Sequence, residues 1–214
     1  MKSGLEVDDV TWRSLIICLL LSVVKIYDIQ DDSGISSALE DALARLPRLR
    51  LQKALSFRRD IDRFLCAESF LMLDEILREQ FGLIGCPEFS YTDKGKPYLR
   101  EYPDIFFSIS HCRKGIAVAA SDRPVGIDIE EIGNYMDIAA IVLNDDELSE
   151  VRHSENPDIC FTEIWTRKES YLKLTGEGLR DDMKHVLPPR ERVTFKTQTR
   201  RYSGYVVTLA ASEG

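Results

Sequence analysis

The chain has 214 residues, and its 28 Lys+Arg against 36 Asp+Glu give a formal net charge of −8. With 44 % apolar and 30 % charged residues it is ordinary for a globular protein, which excludes collagen-like, low-complexity and disulfide-scaffold classes. The acid excess argues against generic nucleic-acid binding, which rests on neutralising phosphates with Lys and Arg.

In chain order, the first feature is the apolar run Leu15–Val24, interrupted only by Ser22. It is shorter than the ~18–20 residues a spanning helix needs. Glu6, Asp8 and Asp9 precede it, the wrong charge for a signal peptide. No membrane association is expected; residues 1–22 read as an extension, and the first strand as Val23–Tyr27. After the Asp31–Gly34 turn, residues 35–80 read as helices, with Leu39, Leu43 and Leu46 at helical spacing before Pro47. Phe64, Leu65, Leu71, Met72, Ile76 and Leu77 build a second apolar stripe. Phe89–Tyr91 reads as a short strand, followed by the turn Asp93–Pro97. Ile105–Ile109 and Ile116–Ala120 read as strands joined by a polar loop, Ser110–Lys114. Asp122–Pro124 turns into a strand, Val125–Ile129. Asn144 reads as a helix N-cap with Glu147 as its capping-box partner, and Phe161–Leu174 as a helix ended by Thr175–Gly178. Val193–Lys196 and Tyr205–Leu209 read as closing strands. Strand, helices and strands twice over predict an α+β fold of two similar halves, 23–122 and 123–214, with the site between them.

Five cysteines (Cys18, Cys66, Cys86, Cys112, Cys160) form no CxxC pair, which argues against a thiolate zinc site and a disulfide framework. Free thiols of this kind fit a reducing, cytoplasmic setting. Cys112, beside His111, is the one candidate nucleophile; the plainer reading is a small buried group.

Four constellations could carry chemistry. In Val125–Glu130 the strand period of two places Asp128 and Glu130 on one face, where two carboxylates repel unless a cation or base relieves them. In Trp165–Lys173, Trp165, Glu169 and Lys173 share one helical stripe. Taken singly, the plainer readings are favoured: a solvated acidic face for the strand and a surface ion pair for the helix. Ser110 and His111 end an apolar strand and form a phosphate-type donor set, while the absence of a G-x-S-x-G elbow argues against a Ser/His hydrolase. In Gly95-Lys96-Pro97, Pro97 stiffens the turn that carries Lys96. Together they supply carboxylates for a hard cation and bases for phosphates, the parts of a phosphoryl-type transfer site.

In this order the motifs GKP (95–97), FSISH (107–111), GIDIE (126–130), WTRKESYLK (165–173) and GEGL (176–179) resemble those of the 4′-phosphopantetheinyl transferases of the surfactin-synthetase type, over about Lys25 to Leu209. The resemblance implies a pseudo-twofold pair of α+β halves with coenzyme A in the cleft. It implies transfer of phosphopantetheine to a serine of an apo acyl or peptidyl carrier protein, with release of adenosine 3′,5′-bisphosphate. By position it makes Asp128, Glu130 and Glu169 the ligands of Mg²⁺. Lys96, Pro97, Ser110, His111 and Lys168 become coenzyme A contacts, with Arg48 and Lys53 as candidates for the 3′-phosphate. Glu169 is the first choice for the base and Lys173 the second. The sequence departs from the pattern at Ser108 (usually Asn), Cys112 (usually Ser) and Ser170 (usually Ala). A Mg²⁺-dependent phosphohydrolase acting on a small phosphate ester and a non-catalytic coenzyme A- or carrier-binding protein remain as alternatives. A monomer is expected.

Overall fold

Two three-stranded antiparallel sheets meet along the strands that hold the predicted site, and helices cover their outer faces. The computed structural model describes residues 22–29, 35–85, 87–187 and 193–212. The predicted extension up to Leu21, the Asp31–Gly34 turn, Cys18 and Cys86 lie outside them.

The β-branched run β1 (Val23–Asp28) pairs with β5 (Gly115–Ser121), which pairs with β4 (Phe106–Cys112), giving the order β1-β5-β4. β5 is buried along its whole length and faces two cores at once. Ile116, Val118 and Ala120 pack against Phe64, Leu73 and Ile76 of the helix α3 (Asp60–Phe81), while Ala117 and Ala119 turn toward the second sheet. Alanine on that face lets the sheets approach closely, and Ile127, Ile129, Tyr205 and Val207 fill the space. The helices α1 (Ile35–Arg45) and α2 (Arg48–Leu55) pack on α3 around Ala54, Ala67 and Phe70. Pro47 stands at the N-cap of α2, where its missing N–H is harmless. β2 (Phe89–Tyr91) and β3 (Pro97–Leu99) form a hairpin around the predicted turn.

The second sheet has the order β6-β8-β7, from β6 (Val125–Glu131), β7 (Val193–Arg200) and β8 (Tyr205–Ser212). In each sheet the strand first in sequence pairs with the last, and the last with the one before it. Helices α4 (Met136–Val142), α5 (Asp145–His153) and α6 (Pro157–Thr175) intervene. The capping box at Asn144 is formed in both directions: Glu147 N–H donates to Asn144 Oδ1 and Asn144 N–H to Glu147 Oε2, each at 2.9 Å. Gly176, at φ 75°, caps α6 in the left-handed region. α6 lies across β6 and β8 so closely that a Cβ on Gly126 would stand 2.0 Å from the Ser170 carbonyl oxygen.

The architecture is thus mixed α and β with open sheets. One local expectation is corrected: Ser110 and His111 belong to β4, not to a loop, because the β4–β5 ladder continues to the Cys112–Gly115 pair and leaves only Arg113 and Lys114 to turn the chain. β3, α2 as a separate helix, and α4 were not individually foreseen. Among the described residues no helix is long and apolar enough to cross a membrane.

Candidate active site

The site grows out of the seam between β4 and β6. The period of two in FSISH turns Ser108 and Ser110 to the same side, toward β6. The Ile127 N–H donates to Ser108 Oγ at 3.0 Å, and the Ser110 hydroxyl donates to Asp128 Oδ1 at 2.9 Å. From α6, Lys173 Nζ donates to that same Oδ1 at 2.6 Å and to Ser110 Oγ at 2.7 Å. Three elements are therefore tied at one carboxylate that is 1 % exposed. Its second oxygen, Oδ2, is buried and has no hydrogen-bond partner among the described residues.

Glu130 and Glu169 complete the acidic group. Burial, then the charges of Asp128 and Glu169, push Glu130 up to about 7, while Lys173 pulls it down. Burial and Asp128 likewise raise Glu169, again against Lys173. Among the described residues no three His, Cys, Asp or Glu form a ready metal cluster; the one cation in the knot is the Lys173 ammonium. The donor set still suits a hard divalent cation, since all its atoms are carboxylate oxygens and the orphaned Asp128 Oδ2 is one ligand position left open.

Beside this knot lies a cavity of about 280 Å³, with Lys96, Pro97, Glu169, Leu172, Lys173 and Leu179 among its lining residues. Lys96 crosses from the β2–β3 turn to the end of α6, where its Nζ donates to the Leu174 carbonyl oxygen at 2.8 Å. Burial pushes its ammonium down to about 8. Its stem leans on Gly176, where a Cβ would stand 2.9 Å from Lys96 Cδ. His111 is solvent-accessible at the outer end of β4; the packing around its ring and the Lys173 charge hold it below its ordinary range, and Asp62 pulls weakly the other way.

Of the predicted residues, the structure thus gathers Lys96, Pro97, Ser110, Asp128, Glu130, Glu169 and Lys173, with His111 at the margin. Lys168 is a correction. Its side chain is fully buried on another face of α6, where Nζ donates to Glu147 Oε2 at 2.6 Å and to the carbonyls of Val142 and Met183 at 2.9 Å each. All its donors are engaged away from the cavity. Arg48 and Lys53 are exposed on α2; Lys53 Nζ lies 5.4 Å from the Phe57 ring centre, and neither lines the cavity. Burial pushes the Cys112 thiol up to about 11, which leaves it protonated and a poor nucleophile at neutral pH. Trp165 is half-buried and stacks on Phe161 at 6.4 Å. Ser108, Gly176 and Leu179 are parts of the site that the sequence reading left without a role. For Ser108 the signal was present, because it stands two residues before Ser110 on the same strand face.

The geometry agrees with what the chain is similar to. The family model of the 4′-phosphopantetheinyl transferase superfamily matches residues 124–210, from β6 to β8. A 4′-phosphopantetheinyl transferase of Bacillus subtilis is 30 % identical over 163 residues, covering 73 % of this chain and 72 % of that protein. The 4′-phosphopantetheinyl transferase psf-1 of Bacillus pumilus is 30 % identical over 164 residues, 73 % of this chain and 70 % of its own. The 4′-phosphopantetheinyl transferase Sfp of Bacillus subtilis strain 168 is 33 % identical over 94 residues, 42 % of each chain. Likeness over most of both chains, reaching through the strand and helix that carry the Asp128–Lys173 knot, makes this protein a member of the 4′-phosphopantetheinyl transferase family and an enzyme of that type.

Proposed function

We propose that the enzyme takes 4′-phosphopantetheine from coenzyme A and places it on a serine of an apo acyl or peptidyl carrier protein, releasing adenosine 3′,5′-bisphosphate. The observation that carries this reading is the knot of Ser110, Asp128 and Lys173 beside a cavity that also holds Lys96 and Glu169. It combines carboxylates with phosphate-binding cations, as a site for displacement at a pyrophosphate requires. The halves 23–122 and 123–214 are read as pseudo-twofold repeats, supported by their identical order of strand connection.

In this reading Lys96, Ser110 and His111 bind the phosphates of coenzyme A, and Pro97 fixes the turn from which Lys96 reaches. Lys173 stands next to the reacting phosphates and offsets charge that develops on them. Glu169, raised by burial and by Asp128, is suited to accept the proton of the carrier serine. The serine oxygen then forms its bond to the β-phosphorus, the bond from that phosphorus to the bridging oxygen breaks, and the nucleotide bisphosphate leaves with the electron pair. Asp128, Glu130 and Glu169 would hold Mg²⁺, which when bound supplies positive charge to the pyrophosphate.

Incubation with coenzyme A, Mg²⁺ and an apo carrier, followed by intact mass measurement of the carrier, tests the proposal. A phosphopantetheine mass gain is expected. Phosphate or pantetheine release without that gain would replace transfer by hydrolysis, and no change in either would leave a binding protein.

A further inference from the structure

Among the described residues, Lys168 is the largest charged side chain that is fully buried, and the reaction described above does not use it. Its ammonium reaches four acceptors on three separate segments: the Val142 carbonyl at the end of α4, Glu147 Oε2 in the capping box of α5, and the carbonyls of Met183 at 2.9 Å and Lys184 at 3.4 Å. Replacing a buried ion pair by apolar groups of similar volume is often neutral or stabilising. Fold stability alone is therefore a weak reason for an amine here, and what the amine does locally is join three segments at one point, beside the Asn144 Nδ2 bond to the Lys184 carbonyl at 3.5 Å and the apolar packing of Met183 and Val186.

The segment it holds matters for the cavity. The chain leaves α6 at Gly176, passes exposed through residues 177–182, and returns to buried positions at Met183 and Val186. Gly178 and Leu179 of this strap line the cavity, and Leu179 is 73 % exposed. Both ends are tied back by lysines. Lys96 lies on Gly176 and bonds Leu174 at the start, and Lys168 grips Met183 and Lys184 at the finish. Both α6 faces are thus in use: Glu169 and Lys173 stand at the cavity, while Lys168, one residue before Glu169, anchors the far end of that cavity's wall.

We propose that Lys168 is a positioning residue that holds the 176–183 strap over the cavity and thereby sets the enzyme's grip on coenzyme A. This rests on the assignment of the cavity to coenzyme A. A strap released at one end keeps its sequence and its contacts with Lys96 but samples open positions. Binding then weakens while the groups at Asp128 and Glu169 stay in place.

The test compares full-length wild type with Lys168→Met and with Glu147→Gln, which removes one charge of the clamp but keeps an oxygen for the Asn144 N–H. Amide hydrogen exchange of residues 176–187 is measured against α3 and β5, and KM for coenzyme A and kcat are measured with Mg²⁺ and an apo carrier. The expected result is faster exchange confined to 176–187, with KM raised about tenfold in Lys168→Met and kcat changed by less than about twofold. Glu147→Gln shifts both in the same direction by less, and it decides the matter if Lys168→Met does not fold. Unchanged strap exchange in a folded variant overturns the anchoring. A loosened strap with unchanged KM, or a loss confined to kcat, overturns the link to coenzyme A. If wild type itself transfers nothing from coenzyme A, the proposed function fails, and the exchange measurement alone still judges the anchoring role.

Discussion

Gly126→Ala is expected to damage stability and catalysis together, because the space for a methyl group is already taken by helix backbone. A Cβ at this position would lie 2.0 Å from the Ser170 carbonyl oxygen, 2.4 Å from the Leu174 nitrogen and 3.0 Å from the Leu174 Cα. Ordinary contact begins at 3.4 Å, so α6 or β6 must retreat by about 1.4 Å. None of these atoms is the end of a flexible side chain that could swing aside. Overpacking of this kind costs about 1–3 kcal/mol, and a rigid obstacle puts the cost at the upper end. For a chain of this length that lowers Tm by about 6–12 °C. The same movement carries Glu169 and Lys173 away from Asp128, now 2.6 Å from Lys173 Nζ, and misplacement by about 1 Å can cost about 10²-fold in rate. Differential scanning calorimetry and the carrier-loading assay read the two effects. Gly133→Ala, whose Cβ would have the Tyr135 side chain as its nearest neighbour at 3.3 Å, is the control. A Gly126→Ala protein with wild-type Tm would refute the packing argument. One that loses stability but keeps its full rate would refute the claim that β6 and α6 set the site geometry together.

Asp128→Ala and Glu169→Ala should each reduce carrier loading by about 10³-fold or more while remaining folded by circular dichroism, and robust loading by either would remove it from the site. Lys96 must carry its proton to hold a phosphate, and its ammonium lies at about 8. KM for coenzyme A should therefore rise as pH climbs through that value, and Lys96→Met should show a higher KM with a flatter profile; an unchanged slope in the variant would dissociate Lys96 from the phosphates. Ser108→Ala orphans the buried Ile127 N–H, worth about 1–3 kcal/mol, so thermal melting should fall by several degrees; an unchanged Tm would show that the seam does not depend on that bond. Lys173→Met removes the ammonium held by Asp128, so Mg²⁺ should raise the variant's Tm further than the wild type's, and an equal shift would argue that the ion does not take over that charge.

Local chemistry was legible in the sequence, and long-range covering was not. The capping box at Asn144 and the glycine stop at Gly176 depend on residues a few positions apart, and both formed as read. The polarity of Ser110 and His111 suggests a loop, but the ladder to β5 satisfies their backbone and extends the strand. Lys168 stands in a charged helical motif, and by resemblance it reads as a coenzyme A contact. Helical spacing cannot say which face α4, α5 and the 183–184 segment will cover, and they cover that one. The role of Ser108 needed β6 to be placed beside β4, a pairing of segments that no local pattern announces.

The net charge of −8 illustrates the same division. As a total it would repel an anionic substrate, yet the total is not what a phosphate meets at the cavity. Asp128 helps to raise both Glu130 and Glu169, Glu169 adds to the rise of Glu130, and Lys173 is bonded to Asp128, which is almost fully buried. Asp128 Oδ2 is buried and has no donor of its own among the described residues. A second positive charge brought to this point would satisfy the orphaned oxygen and relieve the repulsion among the carboxylates. It would also let Lys173 turn part of its charge toward a phosphate. Under the proposed function, acid excess at the centre of the site becomes the means of holding an anion when a cation arrives with it or before it. On that reading the local field, set by where α6 lies on β6, decides binding where the sum of charges does not.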